Sequence, residues 1–365
     1  MSKKIAYLCS SKSWGGLEMN HLRNAEWMKQ RGHDVLVIGC DATPFQRQAQ
    51  SMMLPFENIT AYRKYYDFKA AKALKALIIA HKITHIIIRS TYDMSIVASV
   101  KRQLKDDLHT SYFMEMQFGV KKTNLFHTIR FSKIDLWSCP LNWLESQVKE
   151  LTRFKNELVV IPSGLDLSQF DRLPNKQVAR RMLDLPEEEL IFGLIGRFDP
   201  QKGQLLLLEA MKQCQNKQFS IVFLGEPTQD EGESYYDSMV QLISDSKLTD
   251  RVFIKAFRKD ISTFYSAADW MVMGTKAETF GMVTIEALAC GTPVLGSNKG
   301  GTPELLENES GGILFESMNA TDLATRIDKI CDQKLSFNAE QLVKLVEKFD
   351  HHLVCEQIET ALRLK

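Results

Sequence analysis

The amino-acid sequence predicts an α/β protein built from two doubly wound domains. The chain has 365 residues, which is too many for one ordinary hydrophobic core. Short, continuously apolar segments alternate with helix-length segments, a pattern typical of parallel sheets that are covered on both faces. The alternation restarts near the middle of the chain, so the same pattern occurs twice.

The first series begins with "KIAYLC", which predicts a buried strand, and continues through the loop "SSKSWGG" into the helix "LEMNHLRNAEWMKQR". Gly32 follows this helix, where a left-handed cap is expected. Four further strands are predicted in this half, namely "DVLVIGC", "THIIIR", "TSYFMEM" and "DLWSCP".

The second series follows a strand and turn in "ELVVIPSGLDLSQF" and a polar linker with a short helix in "NKQVARRMLDLPEEE". Its predicted strands are "LIFGLIG", "FSIVFLG", "RVFIKAF", "DWMVMGT" and "TPVLGS". We therefore place one Rossmann-like domain at residues 1–170, a second at 171–345, and a C-terminal helix at 346–365. Ligands of such folds bind beyond the carboxyl ends of the strands, so we expect a cleft between facing sheets.

The composition, 44% apolar and 25% charged, is that of a soluble globular protein. Seven cysteines without a Cys-x-x-Cys pair indicate reduced core residues in a cytoplasmic protein. The eight histidines show no ligand spacing with cysteine or carboxylate, so we predict no metal site.

The net charge of +1 conceals an asymmetry between the halves. Residues 1–160 carry 24 Lys and Arg against 14 Asp and Glu, and the remainder carries 22 against 31. The basic residues concentrate in "YRKYYDFKAAKALKALIIAHK", "VKRQLK" and "GVKKTN". Two interpretations are open: an ordinary lysine-rich helix surface, or a patch that meets anionic lipid or a lipid-diphosphate acceptor. No nucleic-acid-binding module is recognisable, so we expect no nucleic-acid partner.

The first strand of the second series leads into "GRFDPQKG", which places Arg197 and Lys202 beside the start of a helix. A helix N-terminus attracts anions, and Arg can contact two phosphate oxygens at once. This segment is therefore a candidate diphosphate site, with a solvated loop as the alternative.

The stretch "AETFGMVTIEALACGTPV" contains Glu278 and Glu286 on either side of a glycine turn. Gly281 lets the backbone approach a ligand closely. Glu286 has Met282, Ala289 and Cys290 as helix neighbours, which indicates a buried or cleft-facing carboxylate. Vicinal hydroxyls would supply its hydrogen-bond donors; the alternative is a carboxylate satisfied by backbone donors.

These segments resemble retaining glycosyltransferase family 4, whose members have the GT-B fold. The resemblance extends over most of the chain, through "WGGLEMNHLRNAEWMKQRGHDVLVIG", "VIPSGLDLSQF", "GRFDPQKG" and "ETFGMVTIEALACGTPVLGSNKGG". The last segment carries the paired-glutamate signature of the family and is the most specific. In GT-B enzymes a tail such as 346–365 crosses back onto the first domain.

The resemblance implies roles at a nucleotide-sugar. Glu286 would bind the ribose hydroxyls, Glu278 would lie by the sugar hydroxyls, and Arg197 with Lys202 would neutralise the leaving diphosphate. The backbone of three residues would touch the donor, and glycines of the first domain would admit its diphosphate; these are Phe280, Gly281, Met282, Gly15 and Gly16. Phe257 and Arg258, after "FIKA", are candidate contacts to the base.

The first domain departs from the family in one respect. Many members place a histidine just after a first-domain strand, near the reacting sugar, whereas this chain reads "SYFMEMQFGVKKTN" there. Glu115, Gln117 or Arg89 could take the role of this histidine. We choose Glu115 as a candidate catalytic residue, together with Arg197, Lys202 and Glu278.

The sequence thus predicts a cytoplasmic, metal-independent, retaining glycosyltransferase of the hexosyltransferase type. Its donor would be UDP- or GDP-linked, and a lipid-linked, lipopolysaccharide or polysaccharide glycan is the preferred acceptor, with peripheral contact to the inner face of the membrane. The alternatives are a GT-B protein that binds a nucleotide-sugar without turnover and a GT-B nucleotide-sugar epimerase. An oxidoreductase is disfavoured because no Gly-x-Gly-x-x-Gly follows the first strand of either domain.

Overall fold

The computed structural model describes residues 3–65, 67–227, 232–307 and 309–364, without the side chains of residues 232 and 233. The chain forms two compact units, one of residues 1–164 with 351–365 and the other of residues 165–350. The first unit ends at Gly164 rather than at the predicted residue 170.

The first unit contains a parallel sheet of seven strands in the order β3-β2-β1-β4-β5-β6-β7. Strand β1 pairs in register with β2 on one side and with β4 on the other. The strands are β1 (Lys4–Cys9), β2 (Asp34–Gly39), β3 (Phe56–Asn58), β4 (His85–Ile88), β5 (His109–Phe113), β6 (Leu136–Cys139) and β7 (Glu157–Val160).

Both faces of this sheet are covered, because alternate residues of its strands enter different apolar clusters. Ile5 and Tyr7 of β1 belong to one cluster and Ala6 and Leu8 to the other. The covering helices are α1 (Gly16–Gln30), α2 (Pro44–Ser51), α3 (Phe68–Ala80), α4 (Met94–Leu104), α5 (Leu125–Phe131), α6 (Asn142–Leu151) and α15 (His351–Ala361).

The second unit repeats the design with six parallel strands in the order β10-β9-β8-β11-β12-β13. They are β8 (Leu190–Ile195), β9 (Phe219–Leu224), β10 (Val252–Lys255), β11 (Trp270–Met273), β12 (Val294–Ser297) and β13 (Gly312–Phe315). The helices are α7 (Lys176–Met182), α8 (Gln204–Gln213), α9 (Gly232–Asp245), α10 (Ile261–Ala267), α11 (Met282–Ala289), α12 (Thr302–Leu305), α13 (Ala320–Gln333) and α14 (Ala339–Val346).

The direction in which strands are added reverses once in each unit. The reversal lies between β1 and β4 in the first unit and between β8 and β11 in the second. Loops that leave the carboxyl ends of such neighbouring strands diverge and create a ligand-binding crevice. The segments after these four strands are therefore the natural place for a site in each unit.

The structure corrects three predictions about elements. Strands β3 and β13 were not predicted, and the expected tail helix at 346–365 is instead the end of α14, a short 3₁₀ turn at Glu347–Phe349 and α15. Five of the seven cysteines are buried, and the other two are partly exposed. Within the described residues, none of the helices combines the length and apolar character needed to cross a membrane.

The C-terminal helix α15 is fixed to the first unit by a buried carboxylate. Glu359, only 2% exposed, accepts hydrogen bonds from Arg31 Nε at 2.8 Å and Arg31 Nη2 at 2.9 Å. His33 Nε2 lies 2.8 Å from the same carboxylate. Because Arg31 and His33 both contact this buried carboxylate, the cluster anchors α15 to the end of α1.

We expect Glu359→Gln to destabilise the first unit by about 3 kcal/mol, since it leaves Arg31 without its buried counter-charge. Glu356→Gln is the matched control, because Glu356 lies 3.7 Å from Arg31 but is 58% exposed. Its loss should cost less than about 1 kcal/mol. Urea unfolding of both variants measures the difference, and equal midpoints would contradict the anchoring role of Glu359.

Candidate functional site

Arg197 lies directly beyond the carboxyl end of β8, on a loop with a fixed backbone. The buried side chain of Gln204 donates from Nε2 to the Arg197 carbonyl oxygen at 2.9 Å. The Arg197 guanidinium is 67% exposed and lies 3.9 Å from Asp199. The loop therefore holds the backbone and leaves the cation in solvent, where an anionic ligand can reach it.

Lys202 lies on the same loop, and the structure brings it to Glu278 from the loop after β11. The Lys202 Nζ to Glu278 Oε2 distance is 3.7 Å, and both side chains are partly exposed. A partly exposed pair of this kind contributes little to stability. Breaking this ion pair therefore costs little free energy. The Lys202 ammonium can then bind a phosphate, and the Glu278 carboxylate can bind hydroxyl groups.

Two glycines bring the loops after β8 and β11 into backbone contact. Gly203 has φ +83°, and a Cβ built on it would lie 2.4 Å from the carbonyl oxygen of Gly274. No side chain fits between these segments. Their contact fixes the position of Lys202 relative to the loop that carries Glu278.

The backbone of Glu278 is fixed on its other side by the loop after β12. Glu278 forms a parallel bridge with Gly300, and Gly301 N donates to the Glu278 carbonyl oxygen at 2.7 Å. A Cβ on Gly300 would lie 2.3 Å from that oxygen. The glycine pair of "NKGGTPELL" thus provides this close approach, while the Glu278 carboxylate stays partly exposed.

Helices α8 and α11 both begin after a left-handed glycine without a side-chain cap. The residues are Gly203 and Gly281, with φ of +83° and +102°. By contrast, Asp67 caps α3 by accepting from Ala70 N. Uncapped helix N-termini offer backbone N–H groups and the positive end of the helix dipole to an anion.

An aromatic pair on the buried side of the chain supports the turn before α11. Phe280 is buried and meets Phe349 edge to face, with ring centroids 5.6 Å apart. Its side chain therefore supports the turn, and only its backbone is available to a donor. Met282 is the first residue of α11, so its N–H belongs to the uncapped helix end.

Glu286 lies one turn further along α11 and is 9% exposed. Tyr265 OH donates to Glu286 Oε2 at 2.7 Å. Burial and the adjacent carboxylate raise the pKa of Tyr265 well above its usual value, so the phenol remains a donor. At a rise of about 1.5 Å per residue, Glu286 lies about 6 Å along the helix from Met282.

Tyr265 is a site residue that sequence reasoning missed. It lies in α10, in "FYSAAD", where it has the pattern of an ordinary core aromatic. Only the fold brings its hydroxyl to Glu286, so no local signal could have indicated it.

The candidate base contacts after β10 have different surroundings. The Phe257 ring is 60% exposed. Arg258 pairs with Asp260, with Nε to Oδ1 at 2.9 Å and Nη2 to Oδ2 at 2.6 Å. Phe257 therefore offers a free ring face, whereas Arg258 already has a bidentate partner in the chain.

In the first unit, the predicted glycines lie where the loop after β1 enters α1. Gly15 precedes the helix in an extended conformation, with no side-chain cap. A Cβ on Gly16 would meet nothing within 4 Å. The described fold does not itself require glycine at Gly16, and the space beside it is open to a ligand.

Glu115 and Arg89, two of the alternatives for the absent histidine, form an ion pair with each other. They follow the neighbouring strands β5 and β4. Arg89 is almost fully buried, and burial lowers its pKa to about 10. Gln117 is exposed and lies outside this pair. The catalytic role of Glu115 stays a prediction, now with Arg89 as its fixed partner.

A second buried carboxylate, Asp93, was not singled out from the sequence. It is fully buried before α4 and accepts hydrogen bonds from Ser10 Oγ and from Tyr62 OH, the latter at 2.6 Å. Burial raises its pKa to about 6. Because Ser10 follows β1, Asp93 ties the loop that leads to Gly15 to the loop after β4.

Residues 175–348 match the family model described as "Glycosyl transferases group 1". The matched range contains Arg197, Lys202, Glu278 and Glu286. The resemblance to a glycosyltransferase family predicted from the sequence is thereby confirmed over this segment, which occupies most of the second unit.

Relatives by sequence match about half of the chain. The D-inositol 3-phosphate glycosyltransferase of Mycolicibacterium smegmatis is 29% identical over 182 residues, which is 49% of this chain and 41% of the relative. The match to such curated relatives thus spans less than half of their length.

Several solved structures match the chain over 99% or 100% of its length. A glycosyltransferase from Rickettsia africae ESF-5 has a TM-score of 0.87 at 19% identity, covering 100% of this chain and 98% of the other. An Anabaena protein solved in complex with UDP has a TM-score of 0.85 at 22% identity and covers 99% of both chains. The predicted fold class, two doubly wound Rossmann-like units of the GT-B type, is confirmed.

We expect Asp93→Asn to remove a pH dependence from the stability of the protein. The folded-state pKa of about 6 lies above the unfolded value of about 3.9, so between these values only the folded state holds the proton. Wild type should therefore gain stability as the pH falls from 7 towards 4, by up to about 1.4 kcal/mol per unit relative to the variant.

Urea unfolding at several pH values between 4 and 7 measures this difference. Asp67→Asn is the control, because backbone N–H groups of Ala70 and Arg63 lower the pKa of the exposed Asp67 carboxyl. Asp67→Asn should therefore not remove the gain in stability that wild type shows as the pH falls. Parallel pH profiles for wild type and Asp93→Asn would contradict the assignment.

Proposed function

We propose that the protein is a retaining glycosyltransferase that moves a hexosyl group from a UDP- or GDP-sugar to an acceptor hydroxyl. The observation that supports this most strongly is the arrangement around α11. Glu278 and Glu286 lie on either side of its uncapped N-terminus, and Lys202 lies 3.7 Å from Glu278. The cation and the helix N-terminus suit the diphosphate of a nucleotide-sugar. The two carboxylates suit the hydroxyl groups at its two ends.

In this proposal Glu286 binds the ribose hydroxyls. Tyr265 holds Oε2 of the carboxylate, which fixes its orientation for two neighbouring hydroxyl donors. Phe257 offers its exposed ring to the base, and Arg258 is the second candidate base contact. The backbone of Phe280, Gly281 and Met282 lies against the donor, where a side chain at Gly281 would intervene.

The diphosphate is the leaving group, and its developing charge is where catalysis is required. As the bond between the anomeric carbon and phosphate oxygen breaks, Arg197, Lys202 and the N-termini of α8 and α11 stabilise the charge. Glu278 positions the sugar hydroxyls beside this point. The acceptor hydroxyl oxygen forms the new bond on the same face of the sugar and gives its proton to the departing diphosphate oxygen, and the anomeric configuration is retained. We propose that fixed cations perform this work without a metal ion.

The first unit is proposed to bind the acceptor. Glu115, held by Arg89, is the candidate group near the reacting sugar, and Gly15 with Gly16 leave room for the donor diphosphate. The relatives support a sugar-transfer role: the curated ones are named D-inositol 3-phosphate glycosyltransferases, and the Anabaena protein is solved with UDP and with UDP-glucose.

The acceptor is proposed to be a lipid-linked or polysaccharide glycan reached at the cytoplasmic face of a membrane. The feature that supports it is the outer face of α3, which carries Phe68 at 74% and Ile79 at 58% exposure beside the exposed lysines Lys69 and Lys72. Apolar side chains flanked by lysines suit the interface of anionic lipid.

One other function has a specific observation in its favour. A protein that binds a nucleotide-sugar without turnover would explain why the first unit lacks the family histidine and engages Glu115 in an ion pair. Release of free hexose or formation of a glycoside from a bound donor excludes this alternative. Tight donor binding with neither product would favour it.

We expect UDP or GDP to bind without a metal ion, and Glu286→Ala to weaken binding by about 10- to 100-fold through loss of charge-assisted hydrogen bonds to the ribose. Calorimetric titration with UDP, GDP, ADP and NAD, each with and without EDTA, measures this and identifies the base.

Glu209→Ala is the matched control, since Glu209 lies on α8 and pairs with the neighbouring Lys212 at the surface. Its affinity for the nucleotide should equal that of wild type. Binding of NAD alone, or binding that disappears with EDTA, would contradict the proposal.

We expect replacement of Lys69 and Lys72 by Gln to weaken binding to phosphatidylglycerol vesicles by about 30-fold, at about 1 kcal/mol per lysine near an anionic surface. The double variant Lys212→Gln with Lys344→Gln removes the same charge from the second unit and should bind as wild type. Vesicle cosedimentation gives the comparison. If both double variants bind equally, the α3 face is not the contact.

A further inference from the structure

A cavity of about 220 Å³ lies in the first unit at the carboxyl edge of its sheet. Its walls come from the loops after β4 and β5 and from α5. The basic side chains around it belong to Lys64, Arg89, Lys122, His127 and Arg130, and none of the lining residues in the described structure is Asp or Glu. The predicted function uses only Arg89 of this set, as the partner of Glu115.

Arg130 is buried here without a carboxylate partner in the described part of the chain. It is 5% exposed, donates from Nη2 to the Thr91 carbonyl oxygen at 3.0 Å, and has its guanidinium 5.1 Å from the Tyr65 ring. Its Nε has no acceptor among the described residues, and burial lowers its pKa. A buried cation without a counter-charge is costly, so this arrangement indicates an anionic ligand.

The pKa of His127 responds to the same excess of positive charge. Burial lowers its pKa, and so do the cations of Arg130, Lys122 and Lys64. Its Nδ1 is buried without a partner in the described residues. Arg89 is paired with Glu115, whereas Lys64, Lys122 and Arg130 form no ion pair with a carboxylate of the described residues.

We propose that this cavity binds a phosphate group carried by the acceptor. The inference rests on the proposed function, because it gives the acceptor a chemical class. Three cations and an imidazole around a small cavity suit a compact, multiply charged oxyanion better than a single carboxylate. Arg130 supplies directed N–H donors, and the lysines act as point charges. The cavity adjoins Arg89, so the phosphate would lie beside the Arg89–Glu115 pair.

The test is calorimetric titration of inorganic phosphate into the 365-residue chain saturated with UDP, which keeps phosphate out of the nucleotide site. Lys122→Gln should weaken phosphate binding about tenfold, since it removes one charge-assisted contact. Lys64→Gln should act in the same direction. These partly exposed residues leave the buried Arg130 in place, so the variants should fold.

Lys121→Gln is the matched control, because Lys121 is the exposed neighbour of Lys122 and does not line the cavity. It should bind phosphate as wild type. UDP binding is measured separately in the same samples. Failure of the donor assignment would appear as loss of UDP binding, and failure of this inference would appear in the phosphate titration. If UDP does not bind, the phosphate titration is run without it and judged by the same variants.

Two further probes distinguish the source of the phosphate. Binding of glucose 6-phosphate but not glucose, weakened by Lys122→Gln and not by Lys121→Gln, supports a soluble phosphorylated acceptor. The same sensitivity seen only with phosphatidylcholine vesicles that contain phosphatidic acid supports a lipid phosphate in the same cavity. The proposal is overturned if no phosphate ligand binds, or if binding is equal in wild type, Lys122→Gln and Lys64→Gln.

Discussion

In the second unit the backbone of Gly203 lies against that of Gly274, and this contact determines what the neighbouring loops can do. A Cβ at Gly203 would lie 2.4 Å from the Gly274 carbonyl oxygen, so any other residue would force the loops apart. With the loops in contact, Lys202 reaches Glu278 and α8 starts beside the loop that leads into α11. The bridge from Gly300 to Glu278 extends the same constraint to a third loop.

Much of this arrangement could be predicted from the sequence, because each part leaves a local trace. Continuous apolar strands such as "LIFGLIG" and "FSIVFLG" are long enough to indicate buried parallel strands, and they are observed as β8 and β9. The paired glutamates on either side of Gly281 marked the loop after β11, and the left-handed conformation of that glycine is observed. Strands β3 and β13 escaped prediction because these edge segments contain only three and four residues, which is too short to show a pattern.

What could not be predicted depends on contacts between distant segments. Tyr265 reaches Glu286 from another helix, and Asp93 receives hydrogen bonds from Ser10 and Tyr62, which lie far from it in sequence. Arg89 and Glu115 were separate alternatives in the sequence, but adjacent strands make them partners. Arg130 has the pattern of a surface residue on a short helix, and only its burial among aromatic rings shows an unbalanced charge.

We propose that Glu278 and Glu286 hold opposite ends of one nucleotide-sugar. The most direct test compares the affinity of the protein for UDP with its affinity for UDP-glucose. Calorimetry on Glu278→Gln and Glu286→Gln gives four affinities to set against wild type. We expect Glu286→Gln to weaken the binding of both ligands by the same factor, whereas Glu278→Gln should weaken the binding of UDP-glucose and leave that of UDP nearly unchanged. Equal losses for both ligands in Glu278→Gln, or no loss of UDP binding in Glu286→Gln, would contradict this proposal.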